Sequence, residues 1–149
     1  MEILLYQPQI PQNTGNIVRT CSVTSTALTL VKPLGFSVSS KYLKRAGLDY
    51  WTEVDIKYID DLIEYLQNSE KPFYFFSSKV KTSYTSIKFT SHDILIFGSE
   101  TFGLPPAIFE LWPEKFYTIP MISDARCLNL SNSVAIVLYE ALRQQEFQF

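Results

Sequence analysis

Apolar residues in this chain gather in short unbroken runs more often than they alternate with polar ones. Ile3 to Tyr6, Ala27 to Val31, Phe73 to Phe76 and Ile94 to Phe97 are such runs, rich in β-branched and aromatic side chains. Segments of this length with no polar face read as strands covered on both sides, the situation of a parallel sheet between helical layers. Between the runs the period changes. Gln7-Pro8-Gln9-Ile10-Pro11 ends the first strand, because its two prolines lack backbone donors, and Asn13 or Thr14 is then placed to cap a helix carrying Ile17, Val18 and Cys21. The first unit therefore reads β-α-β. Further along, Ser39 or Ser40 precedes a short basic helix from Lys41 to Ala46, Glu53 to Ile56 reads as a minor strand, and Asp60 or Asp61 precedes an amphipathic segment with Leu62, Ile63 and Leu66. Val80 to Thr90 is polar with scattered apolar residues and reads as loop with a turn. Phe116 to Ile119 is a last strand, and a closing helix puts Val134, Val137, Leu138 and Ala141 on one face. This alternation predicts a single α/β domain over residues 1–149, with a mostly parallel sheet flanked by helices.

Charge changes the picture little. Thirteen basic and fifteen acidic side chains give a net charge of −2, so any nucleic-acid site must be a local patch, which dimerisation would enlarge. With two cysteines, Cys21 and Cys127, and one histidine, His92, neither a disulfide framework nor a metal centre is expected. Cys21 falls on the apolar side of the first helix. The first residues lack the basic start of a signal peptide, and no apolar run reaches the length of a membrane span, so the cytoplasm is the expected compartment.

In open parallel sheets ligands bind beyond the carboxyl ends of the strands. Three clusters fall there. Gly98 and Gly103, two of only five glycines, bracket Glu100 directly after a strand. They suit a tight loop approaching a flat ligand, and equally a strand-exit turn followed by a helix cap. Asn13, Gly15, Asn16 and Arg19 form the second cluster, where Arg19 can reach a phosphate, a substrate oxygen or a partner subunit; simple capping beside a surface arginine accounts for the same residues. The third is Asn129-Leu130-Ser131-Asn132 at the start of the closing helix, suited to an anion or to plain capping. Lys41, Lys44 and Arg45 can concentrate positive charge on one helix. No G-x-G-x-x-G or G-K-[ST] phosphate loop occurs, which disfavours a dinucleotide or nucleoside-triphosphate site.

Taken together, Asn13-Thr14-Gly15-Asn16-Ile17-Val18-Arg19, Leu95 through Gly98-Ser99-Glu100-Thr101-Phe102-Gly103 to Pro105, and Ile119-Pro120-Met121 through Arg126-Cys127-Leu128-Asn129-Leu130-Ser131-Asn132 to Tyr139-Glu140 resemble the three motifs of the SPOUT methyltransferases. With Leu43 to Trp51, they resemble most the small tRNA 2′-O-ribose methyltransferases that modify the wobble nucleotide of leucine tRNAs. The chain departs from some relatives at Ser99, Phe102 and Cys127. The resemblance implies a C-terminal deep trefoil knot, S-adenosylmethionine as methyl donor, a homodimer joined through the closing and first helices, and tRNA as substrate. Residue by residue, it implies cofactor contacts from Phe76, Gly98, Ile119, Met121, Cys127 and Leu128. It assigns catalysis to Arg19, Asn129 and Ser131, and substrate contacts to Asn16, Lys41, Lys44, Arg45, Glu100, Arg126 and Tyr139. A guanidinium stays protonated, so Arg19 is expected to orient the hydroxyl or a phosphate unless a relay lets it act as base. Two other classes stay open on the residues alone: a catalytically inactive RNA-binding homodimer, and a nucleotide- or flavin-binding α/β module.

Overall fold

In the computed structural model the described residues are 1–37, 50–51, 53–122 and 127–149. The basic helix expected over Lys41 to Ala46 lies outside them, and with it Lys41, Lys44 and Arg45; Arg126 lies outside them as well.

The strands are β1 (Glu2–Tyr6), β2 (Ala27–Val31), β3 (Ile56–Ile59), β4 (Phe73–Phe76), β5 (Ile94–Phe97) and β6 (Phe116–Tyr117). All pair in parallel in one sheet of order β3-β2-β1-β5-β4-β6. Among the described residues the α-helices are α1 (Pro11–Val23), α2 (Leu62–Gln67), α3 (Pro106–Leu111) and α4 (Leu130–Gln144). The sheet has a core on each face, which is why its central strands are apolar throughout. On one side Ile3, Leu5, Leu28, Leu30, Leu95 and Phe97 pack on Ile17, Val18 and Cys21 of α1 and on Val134, Val137, Leu138 and Ala141 of α4. On the other, Leu4, Val31, Ile94, Ile96 and Phe75 meet Leu62 and Leu66 of α2 and Ile108 of α3.

The structure departs from the local expectations at several points. Helix α1 starts at Pro11, with Ile10 as a cap that makes no side-chain bond, so Asn13 and Thr14 stand inside the helix and do not cap it. A proline at the first helical position carries the φ that position needs and lacks only a donor that would go unused there. The minor strand lies at Ile56–Ile59, three residues beyond the expected start, and β6 ends at Tyr117. Thr118 continues the pairing outside the sheet as an isolated parallel bridge to Ser83. The polar stretch after Val80 holds a short 3-10 turn at Tyr84–Ser86, yet its Ile87 and Phe89 are buried in the first core. Finally, α3 was not anticipated from the Pro105-Pro106 pair that opens it.

Beyond β6 the chain runs against the loop that follows β4. Tyr84 N donates to Thr118 O at 2.9 Å, Thr118 N donates to Thr82 O at 2.8 Å, and the Cys127 thiol lies 3.1 Å from the Ser78 hydroxyl.

Candidate active site

Strands β1 and β5 are neighbours, but the chain leaves them in opposite directions, from β1 to α1 on one face and from β5 to α3 on the other. A crevice opens where such connections diverge. Into it project the loops after β4, β5 and β6 and the segment entering α4, which together surround a cavity of about 410 Å³.

The loop after β5 is shaped by its own backbone. Ser99 and Gly103 exchange hydrogen bonds, Ser99 N to Gly103 O at 3.1 Å and Gly103 N to Ser99 O at 2.9 Å, and the Ser99 hydroxyl accepts Phe102 N at 3.1 Å. Gly103 has φ +70°, a conformation glycine adopts without strain. A Cβ on Gly98 would lie 2.4 Å from the carbonyl carbon of Gly103 and 2.6 Å from Leu104 N. Gly98 is thus required first by loop closure. A larger residue there would distort the loop before meeting any ligand.

Glu100, carried by that loop, reaches across the crevice to the start of α1. Its carboxylate accepts Gln9 N at 2.8 Å, Ile10 N at 3.2 Å and Asn13 Nδ2 at 3.0 Å. A carboxylate beside a helix amino end also gains from the helix dipole. The chain of bonds continues: Asn13 Oδ1 accepts Asn129 Nδ2 at 2.9 Å, and Asn129 Oδ1 accepts both Ser131 N at 2.9 Å and Ser131 Oγ at 2.7 Å, capping α4. One polar network therefore ties together the second, first and third sequence clusters. Capping at Asn129, one of the readings left open by the sequence, is what this residue does here; at α1 the cap comes from Glu100, 90 residues away.

Phe76, Gly98, Ile119, Met121, Cys127 and Leu128 all line the cavity, as do Glu100 and Asn129. Both oxygens of Glu100 are engaged at the start of α1, Oε2 by Gln9 N and Oε1 by Ile10 N and Asn13 Nδ2. Among the described residues Ser131 is joined to the site through Asn129. Asn16, Arg19 and Tyr139 are exposed on α1 and α4 outside the cavity, and the Arg19 guanidinium sits over the Tyr50 ring, 5.3 Å from its centroid. Sequence reasoning passed over Ser77, Ser78, Lys79, Leu104 and Thr118, which also line the cavity. The strand-end position of Ser77-Ser78-Lys79 was the available signal for three of them.

The lining joins apolar side chains, Leu104, Ile119, Met121, Leu128 and Leu130, to hydroxyls on Ser77, Ser78 and Thr118 and one ammonium group on Lys79. That mixture, with turns exposing backbone groups, fits a ligand with a flat apolar ring system and a polar tail. Among the described residues no group of three His, Cys, Asp or Glu is placed to hold a metal ion, and no helix is long and apolar enough to cross a membrane. Burial in the first core pushes the Cys21 thiol up to about 12, whereas Cys127 is exposed.

A parallel sheet whose carboxyl edge carries a cavity, with three motifs joined there by one hydrogen-bond network, fits an α/β enzyme of the SPOUT methyltransferase class. The model of the SpoU rRNA methylase family matches residues 1–139, and the chain belongs to that family of enzymes. It is 44% identical over 148 residues to the tRNA (cytidine(34)-2′-O)-methyltransferase of Methylovorus glucosotrophus, covering 98% of this chain and 96% of that protein. A solved structure described under the 2-OH methylation of C/U34 on tRNA superposes with a TM-score of 0.88 at 39% identity, over 97% of this chain and 95% of that one. The AdoMet-bound rRNA methyltransferase of Sinorhizobium meliloti gives a TM-score of 0.82 at 25% identity, over 95% of this chain and 55% of that one.

Proposed function

We propose that this enzyme transfers a methyl group from S-adenosylmethionine to the ribose 2′-hydroxyl of the wobble nucleotide, cytidine or a modified uridine, of leucine tRNAs in the cytoplasm. The observation that carries this reading is the polar network from Glu100 through Asn13 and Asn129 to Ser131, which binds the three motifs around one cavity. The names of the relatives supply the reaction and the nucleotide.

Bound in the cavity, S-adenosylmethionine supplies a methyl carbon already activated by sulfonium charge. Transfer would form the bond from the 2′-oxygen to that carbon as the sulfur–methyl bond breaks, release S-adenosylhomocysteine, and pass the hydroxyl proton to water at the cavity mouth. The protein's task is then alignment and proton removal. Phe76, Gly98, Ile119, Met121, Cys127 and Leu128 hold the cofactor, and Asn129, fixed by Asn13, orients the acceptor side.

Arg19 lies outside the cavity of its own chain, so it reaches a substrate only if a second copy presents that substrate to it. The exposed residues Gln12, Asn16, Arg19 and Val23 of α1 and Asn132, Ile136, Tyr139 and Arg143 of α4 each follow the spacing of one helix face. These adjoining stripes form the homodimer interface in this reading, bringing Arg19, Asn16 and Tyr139 of one subunit to the nucleotide held by the other. Lys41, Lys44, Arg45 and Arg126 supply phosphate contacts, which position RNA without reading its sequence.

The test is methylation of leucine tRNA anticodon stem-loops with S-adenosylmethionine, located by mass spectrometry. A 2′-O-methyl group at the wobble ribose is expected, and none on any leucine stem-loop sinks the reading. Arg19→Ala should slow single-turnover transfer by about 10²-fold or more with little change in cofactor affinity. An unchanged rate removes Arg19 from the mechanism.

A further inference from the structure

We infer that Phe102 is a stacking platform for the base of the target nucleotide, a role that rests on the methyl-transfer reading above and extends it to how the substrate is held. Phe102 lines the cavity, yet its side chain is 78% exposed, facing solvent from the rim. An isolated exposed apolar residue is ordinary on a protein surface. Phe102 differs in how it is presented. The loop that carries it is clamped by the Ser99–Gly103 bond pair, its own amide is held by the Ser99 hydroxyl, and Glu100 two residues earlier is bonded to Gln9, Ile10 and Asn13 at the start of α1. The backbone under the ring is therefore ordered before any ligand arrives, so little conformational entropy remains to be lost on binding.

A ribose with its 2′-hydroxyl directed into the cavity leaves its base outside, at the rim. A base has two apolar faces to cover, and a phenyl ring on a fixed loop covers one of them whatever the base is. Among the described residues no aromatic ring is paired with Phe102, whereas Phe73, Phe75, Phe76, Phe97, Phe109 and Phe116 all make ring contacts within the protein. Glu100 faces α1 and is occupied there, so on this loop Phe102 is the large side chain left for the substrate.

The experiment compares the parent enzyme with Phe102→Ala, Phe102→Leu and Phe102→Tyr on two anticodon stem-loops. One carries its normal wobble base; the other has an abasic ribose at that position that keeps its 2′-hydroxyl. On the normal RNA, Phe102→Ala is expected to lower kcat/KM about tenfold or more, Phe102→Tyr to keep most of the parent value, and Phe102→Leu to fall between. Removing the base should lower the parent by a similar factor and leave parent and Phe102→Ala alike, because the interaction is then already gone. Cofactor affinity by calorimetry and the sedimenting species should not change in Phe102→Ala. Equal loss from Phe102→Ala on both RNAs, full activity of Phe102→Ala on the normal RNA, weakened cofactor binding or an altered assembly state would each overturn the assignment. If the parent methylates neither RNA, the wobble-methylation reading falls and takes this assignment with it.

Discussion

Replacing Glu100 tests whether the helix start and the cavity loop are held together as the geometry implies. Glu100→Ala removes the acceptor for Gln9 N, Ile10 N and Asn13 Nδ2. A hydrogen bond to a charged group contributes about 1.5–3 kcal/mol, and loss of a helix cap alone costs about 0.5–2 kcal/mol. The site is only partly buried, so water can replace part of what is lost, and the bonds share one carboxylate, so they do not sum. The expected destabilisation is about 2–4 kcal/mol, which lowers Tm by about 5–15 °C in a chain of this size. Glu100→Gln should recover roughly half, since its amide oxygen can serve Ile10 N and Asn13 Nδ2 while its NH2 group is left facing the Gln9 donor. Urea unfolding and calorimetry measure both changes, and faster hydrogen exchange at Gln9 and Ile10 localises them. A Glu100→Ala protein within about 0.5 kcal/mol of the parent, with unchanged exchange at those amides, would show that the bonds hold nothing.

Two further predictions use other parts of the fold. Of the two thiols, Cys127 alone should react with a disulfide reagent at pH 8, because burial holds the Cys21 thiol up at about 12; S-adenosylhomocysteine should slow labelling of Cys127, and an unaffected rate would place the cofactor elsewhere. Hydrogen bonds from Arg143 and Gln144 hold the Glu140 carboxyl at about 2, so its contribution to stability is complete above the ordinary carboxylate value near 4.5 and is lost as pH falls from there towards 2. Glu140→Gln should flatten that part of the acid limb by a small amount, as expected for a pair facing solvent; a urea midpoint that falls as steeply as in the parent over this range argues against it.

Local chemistry was legible where one segment carries its own signal. The apolar runs of β1, β2, β4 and β5, the amphipathic segment after Asp60 and Asp61, and the helical face of Val134, Val137, Leu138 and Ala141 all hold, because double-sided burial and helical period are written in consecutive residues. The motifs likewise pointed to the strand-end loops. Tertiary structure decided the rest. That β5 lies beside β1, over 80 residues away in the chain, is what lets Glu100 cap α1, and no local pattern announces a cap supplied from another loop. Ile87 and Phe89 entered the core from a polar stretch, since their burial depends on α4 passing over them and on Gln144 binding Phe89 N and Ile87 O. Arg19 and Asn13 belong to one motif only six residues apart, yet the helix turns Asn13 into the crevice and leaves Arg19 on its outer face. A motif records which residues travel together along the chain; which of them meet around one cavity is set by packing, because helix rotation and strand order are fixed by the burial of both sheet faces at once.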